Sequence, residues 1–292
     1  MDVHLVDGTY ELFRHFFAVP SHLTDDGREV AAVRAVVGSM LTMLEEGATH
    51  VGVATDKVVE SFRNDLWPTY KDGSGVDPTL MAQFPLLEDT LEAAGFAVFA
   101  MVDHEADDAL ASVAKSAAAD AQVERVLIAT PDKDLAQCVT EGRVWQYDRR
   151  KGALIGVAEV IEKFGVRPES IPDWLALVGD SADGFPGVPG WGAKSAATVL
   201  ARWGHIDAIP DDPADWDVTV RGAARLAAAL AANRDDAMLF RYLATLVDDC
   251  VELASVDELR WSGPRANFSE VAASIDAPGL AQRAQQLAFE RN

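Results

Sequence analysis

Three observations predict an α/β fold with a central, mostly parallel sheet, followed by a helical lobe. Apolar, β-branched runs of strand length alternate with helical stretches through the first half of the 292-residue chain. Several of those runs stop on an acid. From about Val157 the pattern becomes mostly helical, with glycine and proline concentrated in the GFPGVPGWG stretch from Gly184 to Gly192. Alternation of this kind is the signature of parallel βαβ units.

The elements follow in order. Val3 to Val6 reads as a first strand and the stretch from about Val30 to Glu45 as a helix. Val51 to Ala54 is a second strand, and Pro78 to about Ala94 a helix. Ala97 to Val102 and Arg125 to Ala129 are two more strands, separated by a helix from about Ala106 to Ala118. A short helix from Lys133 and a strand near Val144 to Tyr147 complete the alternation. A second, helical lobe is expected from near Pro172, with a helix starting at about Ala193. The domains expected are thus 1–172 and 173–292.

Composition narrows the class. With 49% hydrophobic residues the chain can bury a substantial core unaided. Cys138 and Cys250 have no metal-ligand spacing, and the start of the chain has neither a signal-peptide pattern nor a membrane-length apolar run. A cytoplasmic protein with no membrane association is expected. The net charge of −22 argues against an ordinary nucleic-acid binder. That objection is met if the acid is local. Residues 209–217 and 244–259 are acidic, whereas Arg14, Lys57, Arg63, Lys71, Lys133 and Lys194 lie near the motifs.

Nine carboxylates carry the chemistry: Asp7, Asp56, Glu105, Asp107, Asp108, Asp132, Asp134, Asp180 and Asp183. Four apolar runs end at or beside such acids, so parallel strands would deliver them to one crevice. Pooled carboxylates without histidine or cysteine need a counter-charge, and hard oxygen ligands suit Mg²⁺ or Mn²⁺. Capping is the plainer account of EADDALA, because acids favour a helix N-terminus. Capping needs one or two acids, however, and this turn carries three. GDSADGFPG alone reads as an Asx-rich turn. Metal-assisted chemistry on a phosphate ester is the leading expectation.

Two further stretches suggest contact with nucleic acid. Residues 57–85 contain Arg63, Trp67, Tyr70, Lys71 and a DGSG turn. They read either as a surface loop or as a projecting cover whose cations neutralise phosphate and whose aromatics stack on a base. In GVPGWGAKSAATVLARWG, Gly187, Gly190 and Gly192 would admit a phosphate to a helix N-terminus beside Lys194. The six histidines have no metal spacing. Trp174, Trp191 and Trp203 are expected to pack the helical lobe.

These motifs, in this order, resemble the bacterial 5′-nuclease family of flap endonucleases and the 5′–3′ exonuclease domains of repair DNA polymerases. The pieces are LVDGTYELFRHFFAVP, FRNDLWPTYK, EADDALASVAK, PDKDLAQ and LVGDSADGFPGVPGWGAKSAATVLARWG. The resemblance implies a PIN-like nuclease with a helical arch at about 57–85 and a helix-three-turn-helix DNA-binding element at about 173–203. It implies that the nine acids hold two or more divalent ions, and that Arg14, Arg63 and Lys71 contact the scissile phosphate or steer a flap. It also implies that Gly187, Gly190, Gly192 and Lys194 grip duplex backbone, with K⁺ as a candidate ion there. The expected partner is branched or 5′-ended DNA, with RNA primers a further candidate, bound by a monomer. No polymerase segment accompanies the motifs, so a stand-alone form is expected.

Three positions depart from the family pattern: YKDGSG, which adds Asp72, Gly184–Phe185 before the Pro-Gly turn, and Pro131 before Asp132. Two rival readings exist. VDGT and GDSADG resemble phosphatases of the haloacid dehalogenase type, but the nucleophile position two residues before the Asp7–Gly8–Thr9 triplet is Leu5. The other is a non-catalytic DNA-junction-binding relative, against which the retention of all nine acids weighs.

Overall fold

The computed structural model describes residues 1–71 and 73–291. Asp72, the arch departure, lies outside the described residues. In chain order the elements are β1 (Asp2–Asp7), α1 (Gly8–Ala18), α2 (Ala31–Glu45), β2 (His50–Asp56), α3 (Phe62–Leu66), α4 (Pro78–Met81), α5 (Gln83–Ala93), β3 (Ala97–Met101), α6 (Ala106–Ala119) and β4 (Arg125–Ala129). Then come β5 (Val144–Asp148), β6 (Ala153–Ile155), α7 (Val157–Phe164), α8 (Ile171–Val178), α9 (Ala193–Trp203), α10 (Ala223–Ala232), α11 (Arg234–Ala244), α12 (Phe268–Ser274) and α13 (Pro278–Arg291). The chain divides into two units, one of Met1–Ser61, Gly73–Thr130 and Asp248–Asn292, the other of Phe62–Asp72 and Pro131–Val247. Among the described residues, no helix is long and apolar enough to cross a membrane.

In the first unit β1 is the inner strand, parallel to β2 and β4, and β3 pairs parallel to β2. The strands β1, β2 and β4 are buried on both faces and are near-continuous apolar runs: Val3, Leu5, Val6, Val53, Val126 and Ile128 are all at most 1% exposed, whereas the edge strand β3 is half-buried. Leu5 therefore sits in the core. Parallel pairing puts the carboxyl ends of β1, β2 and β4 along one edge, with Asp7 opposite Ala54 and Val6 opposite Ala129.

The helix expected over residues 78–94 is broken at Ala82 into α4 and α5. Pro85 explains the break, since it has no N–H to donate and its ring crowds the carbonyl four residues earlier. A single cut at residue 172 does not describe the chain. Residues 248–291 belong with the sheet unit: Phe268, Ala272, Ala281 and Ala284 are buried, Trp261 Nε1 donates to Ala94 O at 2.9 Å, and Arg283 clamps Glu45 through two 2.7 Å bonds.

The second unit holds the antiparallel β5–β6 pair and the helices α7 to α11 around an aromatic-rich core. Trp191 and Trp216 are buried in it, and Trp174 and Trp203 pack against it. Residues 62–71 correct the expectation of a projecting segment. Tyr70 is 3% exposed within this core, Trp67 meets Phe240 edge-on at 5.1 Å, and Trp67 Nε1 donates to Gly184 O at 3.0 Å. Those rings are used in packing.

Gly184, one of the departures, is required by this packing. Its φ is +80°, and a Cβ there would lie 2.0 Å from Thr69 O. Gly184→Ala is expected to cost about 2–4 kcal/mol, combining left-handed strain with the displacement of a backbone that cannot move aside. A fall in the urea midpoint at unchanged m-value checks it; an unaltered midpoint would mean that the turn adapts freely.

Candidate metal centre

In the second unit, the chain after β4 turns through Pro131 and Asp132 into a short 3₁₀ segment, Asp134–Cys138. Asp132 is exposed and accepts from Asp134 N at 2.9 Å, so it performs the capping role for this turn. Asp134 turns inward and is 8% exposed. α8 ends at Gly179, and the following hairpin is closed by Asp180 N to Phe185 O at 2.9 Å and Phe185 N to Asp180 O at 3.0 Å. Asp180 Oδ1 accepts from Ala182 N at 3.0 Å, the Asx geometry expected of GDSADG. The turn does not exhaust the side chain. Asp134, Asp180 and Asp183 each offer a carboxylate oxygen, all within 4.8 Å of one another.

The electrostatics of this trio ask for a cation. Asp134 Oδ1 is buried without a hydrogen-bond partner. Burial pushes the Asp134 carboxyl well above the ordinary range, and the charges of Asp132, Asp183 and Asp180 push the same way against the opposing pull of Lys133. Lys133 Nζ donates to Asp180 Oδ2 and lies 3.6 Å from Asp134 Oδ1. Burial opposes its charge, but Asp134 and Asp180 outweigh that and raise the ammonium above the usual lysine range. One lysine for three acids leaves negative charge over, and an all-oxygen set with an orphaned buried oxygen fits a hard divalent ion. Lys133 was legible only as a nearby cation; that it bonds Asp180, 47 residues away, was not.

In the first unit the strand-end acids occupy the carboxyl edge of the sheet. Asp7 caps α1, its Oδ1 accepting from Tyr10 N at 2.8 Å, and its Oδ2 accepts from Thr130 Oγ1 at 2.9 Å. Asp56, at the end of β2, accepts from Ala106 N at 2.8 Å, which ties it to the first turn of α6. Glu105 precedes that turn, is 4% exposed and accepts from Ser61 Oγ at 2.8 Å. Asp108 is fully buried and accepts from Glu105 N at 3.0 Å, the reciprocal half of a capping box. Asp107 is half-buried beside them. Capping thus accounts for Asp7 on α1 and for the Glu105–Asp108 box on α6, whereas Asp56 reaches the first turn of α6 from the end of β2. Thr130 and Ser61, which orient two of these acids, were missed; Thr130 stood at a strand end like the acids themselves.

The cations are placed unevenly. On α1, Arg14 Nη2 donates to the buried Glu11 and lies 2.8 Å from His15 Nε2. Lys71 is half-buried, and its backbone oxygen accepts from Asn64 Nδ2 at 3.0 Å. Arg63 corrects the expected exposed position: it is 1% exposed, donating from Nε to Leu243 O at 2.8 Å and from Nη2 to Thr245 O at 3.2 Å. Of the glycines before α9, Gly187 packs against the chain's own backbone, since a Cβ there would meet Gly179 N at 2.4 Å. Gly192, before the first turn of α9, faces open space, and Lys194 is exposed.

Residues 2–165 match the family model described as 5′–3′ exonuclease, N-terminal resolvase-like domain, and residues 166–267 match that described as 5′–3′ exonuclease, C-terminal SAM fold. DNA polymerase I of Pseudomonas aeruginosa is 35% identical over 265 residues, 87% of this chain and 28% of that protein. DNA polymerase I of Bacillus subtilis is 32% identical across 89% of this chain and 29% of its own length. The chain thus spans under a third of the curated relatives it matches. Among solved structures, T5 5′-exonuclease with bound divalent zinc superposes with a TM-score of 0.66 at 17% identity, covering 99% of both chains. The bacteriophage T5 flap endonuclease, in a complex with DNA and metal ions, superposes at 0.65 with 20% identity and 98% coverage of both. At that identity the likeness is one of fold. The two family matches together cover nearly the whole chain, and it belongs to the 5′–3′ exonuclease family, whose members are nucleases.

Proposed function

We propose that this chain is a structure-specific, metal-dependent 5′ nuclease that hydrolyses DNA phosphodiesters, acting as a flap endonuclease and a 5′–3′ exonuclease in replication and repair. The observation that carries the reading is the Asp134–Asp180–Asp183 cluster around a buried carboxylate oxygen that lacks a hydrogen-bond partner, in a chain of this family. Mg²⁺ or Mn²⁺ is the proposed cofactor because the donors are all hard oxygens. When bound, two such ions supply charge neutralisation at the phosphate and a water of lowered pKa.

The chain's own residues divide the remaining work. Asp134, Asp180 and Asp183 hold a cation, and Lys133 neutralises Asp180 when no metal is there. Asp7, Asp56, Glu105, Asp107, Asp108 and Asp132 are the proposed further ligands, direct or through water. Arg14 and Lys71 are the proposed partners of the scissile phosphate. The N-terminus of α9 with Gly190, Gly192 and Lys194 is proposed to grip duplex backbone, with K⁺ as the ion there. Such contacts position DNA without reading bases, so branched and 5′-ended substrates, RNA primers included, would be told apart by shape. The proposed working form is a monomer.

The test is cleavage of a 5′-labelled flap duplex with Mg²⁺ or Mn²⁺, beside an EDTA control and the Asp132→Ala, Asp134→Ala double variant. Short labelled products at the junction, absent from both controls, are expected. An intact flap in every lane, with the duplex still shifted on a native gel, would leave a DNA-binding module and remove the nuclease.

A further inference from the structure

A second concave site lies in the sheet unit at the opposite end of β2 from Asp56, about 20 Å away along the strand. Its cavity of about 500 Å³ is lined by Thr49, Arg260, Trp261, Ser262, Ala288 and Arg291 among others. Among the described residues, no carboxylate side chain lines it. In a chain of net charge −22, two guanidinium groups in one cavity with no described carboxylate on its wall call for an explanation.

The two arginines are differently held. Arg291 stands over the Trp261 ring, 5.6 Å from its centroid, and spends Nη2 on Leu44 O. Arg260 is exposed, and its side chain makes no hydrogen bond or ion pair among the described residues, its charge being felt at His50. Trp261 itself is fixed, 5% exposed with its indole N–H bonded to Ala94 O. A rigid floor, one oriented guanidinium and one uncommitted guanidinium make an anion site with charge to spare.

We propose that this cavity binds a phosphomonoester of nucleotide size, its phosphate engaging Arg260 and Arg291. Two guanidinium groups match a phosphate dianion better than the single charge of a carboxylate, and the exposed Ser262 hydroxyl adds a donor of the kind phosphate oxygens accept, the Thr49 hydroxyl being bonded to His50 Nδ1 at 2.9 Å. The volume falls in the range of small-molecule pockets, leaving room for a sugar and base beside Trp261 and Ala288. A free nucleotide and the phosphorylated end of a strand share this chemistry.

Titration calorimetry in EDTA separates this site from the acid centre, which then has no metal through which to recruit a phosphate. The probes are dAMP, deoxyadenosine and a 5′-phosphorylated oligonucleotide, added to the intact chain and to Arg260→Ala. Saturable dAMP binding that weakens about tenfold or more in the variant, with no binding of deoxyadenosine, is expected. Arg260-dependent binding of the oligonucleotide alone would assign the same site to a strand end. Unchanged Mg²⁺-dependent flap cleavage by Arg260→Ala serves as the fold control. Equal dAMP affinity in both proteins, or no saturable binding of either phosphomonoester up to about 10 mM, would overturn the proposal.

Discussion

Asp134→Asn is expected to lower Mg²⁺-dependent flap cleavage on the order of 10³-fold, the scale of losing a charge-stabilising group from a reaction centre, and at the same time to make the metal-free protein more stable. The two effects have one cause. Asp134 is 8% exposed, its Oδ1 has no hydrogen-bond partner, and its ionised form is opposed first by burial and then by neighbouring acids. Because its folded-state pKa lies above the unfolded value, its contribution to stability is fully present below the ordinary carboxylate range. It is lost as pH rises toward the folded value. At pH 7 without metal the carboxyl is therefore a burden, whether held protonated or ionised, which the neutral isostere removes at a gain of about 1–3 kcal/mol. In melting temperature that is roughly 5 °C, shrinking toward zero near pH 4. Adding Mg²⁺ should reverse the ranking, since a ligand at a hundred times its Kd stabilises the wild type by about 2.7 kcal/mol and the variant less. Thermal melts in EDTA and in Mg²⁺, at pH 4 and pH 7, read all of this. A variant less stable than wild type in EDTA at pH 7 would mean that Asp134 is satisfied without a cation.

The parallel sheet and the strand-end acids were legible because both follow from local rules. β1 and β2 are apolar runs that stop on Asp7 and Asp56, and parallel register sends those ends to one edge. The break in the 78–94 helix was legible in principle, because Pro85 stands where an interior N–H is needed, but an apolar period that continues through the break masked it. The packing of the C-terminal residues with the sheet unit was hidden for a different reason. An amphipathic helix such as α13 states that it must bury a face without stating against what, and the bonds of Arg283 to Glu45, 238 residues away, are invisible to any window along the chain. At the metal centre, residue types pointed to oxygen chemistry. The pairing of Lys133 with Asp180 is a product of the fold, because two motifs 47 residues apart had to be brought together before either could neutralise the other.

Arg63→Ala is expected to destabilise the fold by about 3 kcal/mol and to leave the chemistry of correctly folded molecules largely intact, the reverse of what an exposed phosphate-contacting arginine would do. The guanidinium is 1% exposed and donates to Leu243 O and Thr245 O, at the end of α11 and just beyond it. Truncation leaves those carbonyls without these donors and opens a cavity beside the Phe62 ring, over which the guanidinium stands at 4.7 Å. Each unsatisfied carbonyl costs about 1–3 kcal/mol, and partial access of water to the Thr245 end lowers the sum. Arg63→Lys should recover little, because an ammonium cannot donate in two fixed directions from one plane. Urea unfolding gives the stability, and flap cleavage well below the melting temperature, normalised to folded protein, gives the chemistry. A normal urea midpoint with a large loss of cleavage would place Arg63 on the scissile phosphate, and would require α3 to unseat from the α11 terminus before DNA is cut.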